Sequence, residues 1–105
     1  MSRVVIRADA SAQLGGGHVM RCLALAEALE ETGWQITFAS RPSTVVTLPM
    51  LAGTGYALRR VTADGVGEPR ELARLVPEGC DLLIVDNYAW DIASEHACRG
   101  WAERI

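Results

Sequence analysis

The fold of this chain is decided between residues 3 and 29, which read RVVIRADASAQLGGGHVMRCLALAEAL. The β-branched run that opens this stretch favours a buried strand over residues 3–8, because branched side chains pack well in a sheet. Apolar residues then recur every three or four positions, which is typical of an amphipathic helix, here over residues 18–32. Gly33 ends this helix. The stretch therefore predicts a strand, a glycine-rich loop and a helix.

Strand and helix patterns alternate along the rest of the chain. This order favours an α/β fold with a Rossmann-like parallel sheet, helices on both faces, and the first and fourth strands side by side. Because the last helix would end where a fifth strand should begin, we expect one domain over residues 1–105, truncated before its last strands. The further strands are predicted at residues 34–39, 56–61 and 81–86, and the further helices at 43–52, 68–76 and 91–104.

Composition excludes several classes of protein. The net charge is −3, with 10 Lys and Arg against 13 Asp and Glu, so no basic field supports nucleic-acid binding. Neither a signal peptide nor an apolar run of about 18 residues is present, so we expect a cytoplasmic chain that does not bind membranes. Three scattered cysteines and two histidines predict neither a disulfide framework nor a zinc site. We expect buried thiols, no metal and no cofactor.

The glycine run Gly15-Gly16-Gly17 lies between the first strand and the first helix, where backbone amides can bind an anion. It is not the dinucleotide fingerprint, because Met20 stands where that motif has its last glycine. It is not a P-loop either, since no Gly-Lys-Ser/Thr follows. Two interpretations stay open: the loop binds a substrate, or the glycines only permit a tight turn.

His18 and Arg21 are candidate site residues on the helix that follows this loop. The positive end of the helix dipole favours neutral imidazole at His18, and neutral imidazole is the form that a general base requires. The alternative is a histidine that caps or packs at the helix start. Arg21 lies one turn later on the same side, where it could bind a sugar hydroxyl, a carboxylate or a phosphate. Its alternatives are a surface cation or a partner for Asp9.

Polar residues also follow the first and fourth strands. Arg7 and Asp9 share one face of the chain, so they are candidate substrate contacts, with a simple ion pair as the alternative. Asp86, Asn87 and Tyr88 end the fourth strand. Ligands of parallel sheets bind at the carboxyl ends of strands where the strand order reverses. We therefore expect both groups to flank one crevice together with the glycine loop.

Together these residues resemble the start of the UDP-sugar hydrolases of pseudaminic acid biosynthesis and the related spore-coat polysaccharide proteins. The resemblance extends over nearly the whole chain. The family pattern R-x-D-x-x-x-x-x-G-x-G-H-x-x-R is met at Arg7, Asp9, Gly15, Gly17, His18 and Arg21. The second family segment, D-H-Y-x-x-D-x-x-x-E, is met at Asp86, Tyr88, Asp91 and Glu95.

The resemblance implies the amino-terminal half of a two-domain, glycosyltransferase-B-like enzyme. Such an enzyme releases UDP from a 2,4-diacetamido-2,4,6-trideoxy sugar by hydrolysis, with inversion at the anomeric carbon. By this likeness His18 is the base for water, and a carboxyl-terminal domain that this chain lacks binds most of the UDP. The isolated chain is then expected to be inactive. Asn87 stands where the family has histidine, so we expect it to tune substrate orientation or specificity and not to transfer protons.

Two other functions remain open at this stage. A glycosyltransferase that uses a sugar acceptor in place of water would have a similar amino-terminal domain. A non-catalytic, flavodoxin-like binding module is the second alternative. It would need an acidic cluster at the end of the first strand or a flavin-binding loop, and Asp9 alone does not form such a cluster.

Overall fold

The computed structural model of the chain describes residues 2–64, 67–87 and 90–105. Within these residues the chain forms one sheet of five parallel strands with helices between them. The strands are β1 (Arg3–Ala8), β2 (Gln35–Ser40), β3 (Ala57–Arg60), β4 (Cys80–Asp86) and β5 (Ala102–Arg104). The helices are α1 (Gly17–Glu31), α2 (Ser43–Thr47), a 3-10 helix (Pro49–Gly53), α3 (Gly67–Leu75) and α4 (Ile92–Ala97).

The strand order is β3-β2-β1-β4-β5, which places β1 at the centre of the sheet. The predicted pairing of β1 with β4 is confirmed, with Ile6 opposite Ile84 and Ala8 opposite Asp86. Parallel strands bring their carboxyl ends to the same edge of a sheet. The residues that follow β1, β2 and β4 therefore meet at this edge, which we call the carboxyl edge.

Two hydrophobic clusters lie on opposite faces of the sheet, as the alternation of strand side chains requires. Val4 and Ile6 of β1 pack in the cluster beneath α1, together with Val19. Val5, between them in sequence, packs in the other cluster with Leu72 of α3. The prediction of helices on both faces is thus confirmed, and the fold is a Rossmann-like α/β arrangement. None of the helices in the described ranges is both long and apolar enough to cross a bilayer.

The predicted helix over residues 43–52 is wrong as a single element. Leu48 has φ −127° and ψ 77°, outside the helical region, and it separates α2 from the 3-10 helix. Pro49 explains the break, because the residue before a proline is pushed towards extended backbone and proline itself cannot donate a helical hydrogen bond.

The predicted helix over residues 91–104 is also wrong in its second half. Asp91 caps α4 as a helix start should, accepting a hydrogen bond from the Ser94 amide at 2.9 Å. The helix ends at Ala97, and Gly100 then adopts φ 94°, a left-handed conformation that favours glycine. Residues 102–104 form β5, which pairs with β4. Residues 102–104 therefore form a fifth strand where the sequence predicted the end of a helix.

Candidate functional site

A cavity of about 450 Å³ opens at the carboxyl edge of the sheet. Its size lies within the range usual for small-molecule sites. Most of the residues that line it have polar side chains, and four of them carry carboxylates. Leu14 and Trp90 supply apolar surface, and the other lining residues are Asp9, Ser11, His18, Arg41, Ser43, Asp64, Glu68, Asp86, Asn87 and Ser94.

His18 and Asp86 are in close polar contact. Nδ1 of His18, in the first turn of α1, lies 2.6 Å from Oδ1 of Asp86, the last residue of β4. Both side chains are partly buried. The short contact with a carboxylate favours a ring proton on Nδ1, because an N–H can donate to that oxygen, although Nη2 of Arg21, which can only donate, also lies 3.2 Å from Nδ1. The lone pair of the neutral ring is then on Nε2.

Arg21 binds the other oxygen of the same carboxylate. Its Nη2 and Nε atoms lie 2.7 Å and 3.2 Å from Oδ2 of Asp86. Burial raises the pKa of Asp86, but the hydrogen bonds from Arg21 and His18 outweigh it and hold the pKa below its ordinary value. Asp86 is therefore a stable anion between two donors. The sequence predicted that these residues meet at one crevice, and the structure brings them together.

The glycine loop forms a tight turn beside the cavity. Gly15 has φ 73° and its amide donates to the Ser11 carbonyl at 2.7 Å, so the loop closes on itself. Gly16 precedes α1, and a Cβ atom there would lie 3.1 Å from the side chain of Leu48. Among the described lining residues this segment supplies Ser11, Leu14 and His18. Gly15, Gly16 and Gly17 are not among the described lining residues, and they form the turn that leads into His18.

Arg7 is fully buried, and its guanidinium binds two carboxylates. Nε and Nη2 each lie 3.0 Å from an oxygen of Glu68, and Nη1 lies 2.7 Å from Oδ1 of Asp9. Burial lowers the pKa of Arg7, but the hydrogen bonds to these carboxylates more than offset it. The ion pair of Arg7 with Asp9 is confirmed. Since no part of Arg7 is exposed, it supports the cavity from beneath, and Asp9 is the member of the pair that lines it.

Glu68 and Arg41 complete this network, and neither was predicted from the sequence. Nη2 of Arg41 lies 2.9 Å from Oε1 of Glu68 and 3.2 Å from Oδ1 of Asp64. The Trp90 indole N–H also donates to Glu68. Arg41 follows directly after β2, so the rule that drew attention to the ends of β1 and β4 could have found it. No comparable signal marked Glu68, which lies at the start of α3.

Asn87 and Tyr88 were predicted to contact substrate. Nδ2 of Asn87 donates to Oδ2 of Asp9 at 3.2 Å, and Asn87 lines the cavity. Asn87 thus joins the end of β4 to the end of β1, while the preceding Asp86 contacts α1. Tyr88 lies outside the described residues.

No family model, curated protein or solved structure matches this chain.

The site can perform proton transfer and hydrogen bonding with its own side chains. His18 with Asp86 has the arrangement of a base and its orienting carboxylate, and the remaining carboxylates can accept from ligand hydroxyl groups. In the described ranges, no group of three or more His, Cys, Asp or Glu side chains could hold a metal ion. The cysteine thiols are buried, and burial raises the pKa of each to about 11. They are therefore poor nucleophiles at neutral pH.

Proposed function

We propose that this chain is the sugar-binding, base-bearing half of a cytoplasmic UDP-sugar hydrolase with a glycosyltransferase-B-like fold. Its substrate would be a UDP-linked 2,4-diacetamido-2,4,6-trideoxyhexose used for nonulosonic acid or surface polysaccharide synthesis. The observation that supports this most is the 2.6 Å contact between His18 and Asp86 at the edge of a polar cavity. The resemblance of the glycine–histidine segment supplies the substrate class.

His18 acts in this proposal as the base for water. Nε2 accepts a proton from a water molecule while the water oxygen forms a bond to the anomeric carbon. The bond from that carbon to the UDP oxygen breaks, and UDP leaves with the bonding electrons. The ring becomes an imidazolium, and the Asp86 carboxylate stabilises its charge and keeps the ring oriented. Asp86 acts through His18 and is a positioning residue.

The cavity suits the sugar better than the nucleotide. Hydroxyl and amide N–H groups of a diacetamido sugar can donate to the oxygens of Asp9 and Asn87. Leu14 and Trp90 offer apolar contact to the methyl groups of such a sugar. Among the described lining residues Arg41 is the only Lys or Arg, against four carboxylates, so the charge of this cavity disfavours a diphosphate. The resemblance assigns most UDP contacts to a carboxyl-terminal domain, and we expect negligible turnover by this chain alone.

A binding experiment on the chain itself tests the proposal. The ¹⁵N-labelled chain is titrated with the UDP-diacetamido-trideoxyhexose, with the free sugar and with UDP. We expect both sugar-bearing ligands to shift the signals of His18 and of the Trp90 indole, and UDP to leave the Trp90 signal unchanged. The variant Arg70→Gln, at an exposed residue of α3 outside the cavity, should show the same shifts as the unsubstituted chain. Absence of shifts at the cavity with either sugar-bearing ligand would contradict the proposal.

Turnover tests the role of His18. In an enzyme that joins this chain to a nucleotide-binding domain, His18→Gln should lower UDP release about a hundredfold while binding is retained. Unchanged turnover would contradict the role of His18. UDP release that requires a sugar acceptor would favour the glycosyltransferase over the hydrolase.

A further inference from the structure

A second cavity of about 360 Å³ lies at the other side of Arg41, between the carboxyl halves of β2 and β3 and the helices that follow β2. Its base is apolar: Phe38 and Leu51 are fully buried, and Leu58, opposite Phe38 in the strand pairing, lies beside them. Val45 and Val46 of α2 complete the apolar lining, and Val46 is 80% exposed. We call this space the β3 cavity.

Two arginines stand at the mouth of the β3 cavity. Arg59 and Arg60 both line it and both are exposed. Arg60 is opposite Ser40 in the strand pairing, and strand alternation places it on the same face as Leu58. The same alternation starts the Arg59 side chain on the opposite face of β3, an edge strand of the sheet, yet Arg59 also lines the cavity. Nη1 of Arg59 donates to the Leu58 carbonyl at 3.1 Å, which holds its guanidinium at the sheet edge. Neither arginine forms a salt bridge with any residue that the structure describes.

The two cavities differ in the charged residues that line them. Arg41 lines both, but its Nη2 is held by Glu68, Asp64 and the Ala63 carbonyl, so its charge is balanced on the side of the first cavity. Among the described residues, the lining of the β3 cavity contains no carboxylate. Its charge is therefore positive beside an apolar base. An uncharged apolar ligand would leave Arg59 and Arg60 unused, and a bare anion would leave the apolar base hydrated.

We infer that the β3 cavity is a second binding site, for a small amphiphile that joins an apolar chain or ring to an oxyanion. The apolar part would lie on Phe38, Leu51 and Leu58. The oxyanion, a phosphate or a carboxylate, would accept hydrogen bonds from Arg59 and Arg60, whose planar guanidinium groups match both. This inference does not rest on the proposed hydrolase function, because it uses a different cavity and different residues apart from Arg41.

Titration with four matched probes tests the inference. The ¹⁵N-labelled chain is titrated with octyl phosphate, octanoate, octyl glucoside and inorganic phosphate, each kept below its micelle concentration. We expect octyl phosphate or octanoate to bind about tenfold more tightly than octyl glucoside and inorganic phosphate. The amide shifts should map to residues 38–60 and not to the His18 segment. Whichever of the two anionic probes binds more tightly identifies the head group as phosphate or carboxylate.

Substitutions at the mouth of the cavity make the test specific. Arg59→Gln combined with Arg60→Gln should weaken the anionic probe about tenfold. Val46→Glu should do the same by repulsion, and it changes an exposed side chain that the fold does not need. Arg70→Gln combined with Arg74→Gln, which removes two charges from exposed positions of α3, should have no effect. Affinity for octyl glucoside or inorganic phosphate equal to that for the anionic amphiphiles, shifts confined to the first cavity, or no binding would each overturn the inference.

Discussion

Nδ1 of His18 lies 2.6 Å from Oδ1 of Asp86 across 68 residues of sequence, so the pairing depends on β1 and β4 being neighbours in the sheet. A hydrogen bond to the carboxylate favours a proton on Nδ1, and both residues line the same cavity. A base and its positioning carboxylate thus come from two separate βα segments of the chain.

The first prediction concerns the tautomer of His18. At a pH where the ring is neutral, we expect long-range ¹⁵N–¹H spectra to place the proton on Nδ1, since Asp86 accepts from that atom. Asp86→Asn should move population to the Nε2–H tautomer, because an amide oxygen is a weaker acceptor than a carboxylate and the amide NH₂ can donate to an unprotonated Nδ1. Asp64→Asn, in the same cavity without a described contact to His18, should leave the spectrum unchanged. His96, exposed on α4, is the internal reference.

The sequence could predict that His18 and Asp86 lie close together. The central strands are continuous runs of branched side chains, and the rule that strand order reverses in parallel sheets places the ends of β1 and β4 together. Asp86 was accordingly expected in the same crevice as His18. That it would bind Nδ1 of His18, with Arg21 on its other oxygen, depends on rotamers and distances that no sequence pattern encodes.

The burial of Arg7 and the strand β5 could not be predicted from the sequence, each for a physical reason. Arg7 is a charged residue in the central strand, and its full burial is tolerable because Glu68, 61 residues away, binds its guanidinium together with the nearby Asp9. The strand β5 has three residues, too few to show a period of two. Helical spacing therefore predicted one helix over residues 91–104. In the structure, Gly100 forms a left-handed turn, and the residues after it pair with β4.

The second prediction concerns the buried pair of Arg7 and Glu68. Glu68→Gln leaves a fully buried guanidinium without one of its two carboxylates, and we expect the free energy of unfolding to fall by about 3 kcal/mol. Glu103→Gln, exposed on β5, should change it by less than about 0.5 kcal/mol. Urea unfolding followed by tryptophan fluorescence measures both. A similar small change in the two variants would show that Asp9 alone compensates Arg7.

The third prediction separates backbone strain from steric clash at two glycines. Gly79 has φ +74° and a Cβ atom there would lie 2.5 Å from the Trp101 carbonyl oxygen, whereas Gly33 has φ +92° with nothing within 4 Å. Gly33→Ala should therefore cost only the left-handed strain, about 1 kcal/mol. Gly79→Ala should cost about 3 kcal/mol or more, because the backbone at Trp101, next to β5, must also shift. Equal losses would mean that the chain relaxes freely at Trp101.

The last prediction concerns acid unfolding and Asp9. Burial raises the pKa of Asp9, but the hydrogen bonds from Arg7 and the Arg41 amide, with the charges of both arginines, bring it below its ordinary value of 3.8. The unfolded chain therefore binds this proton more readily than the folded chain does. The stability that Asp9 contributes is present above pH 3.8 and is lost as the pH falls through the lower pKa of the folded state.

Asp9→Asn should lower the free energy of unfolding at pH 7 and flatten its decline between about pH 5 and pH 2. Urea unfolding at a series of pH values measures both curves, and Glu103→Gln should give a curve parallel to that of the unsubstituted chain. An Asp9→Asn curve that also runs parallel would mean that the ion pair with Arg7 does not couple protonation to folding.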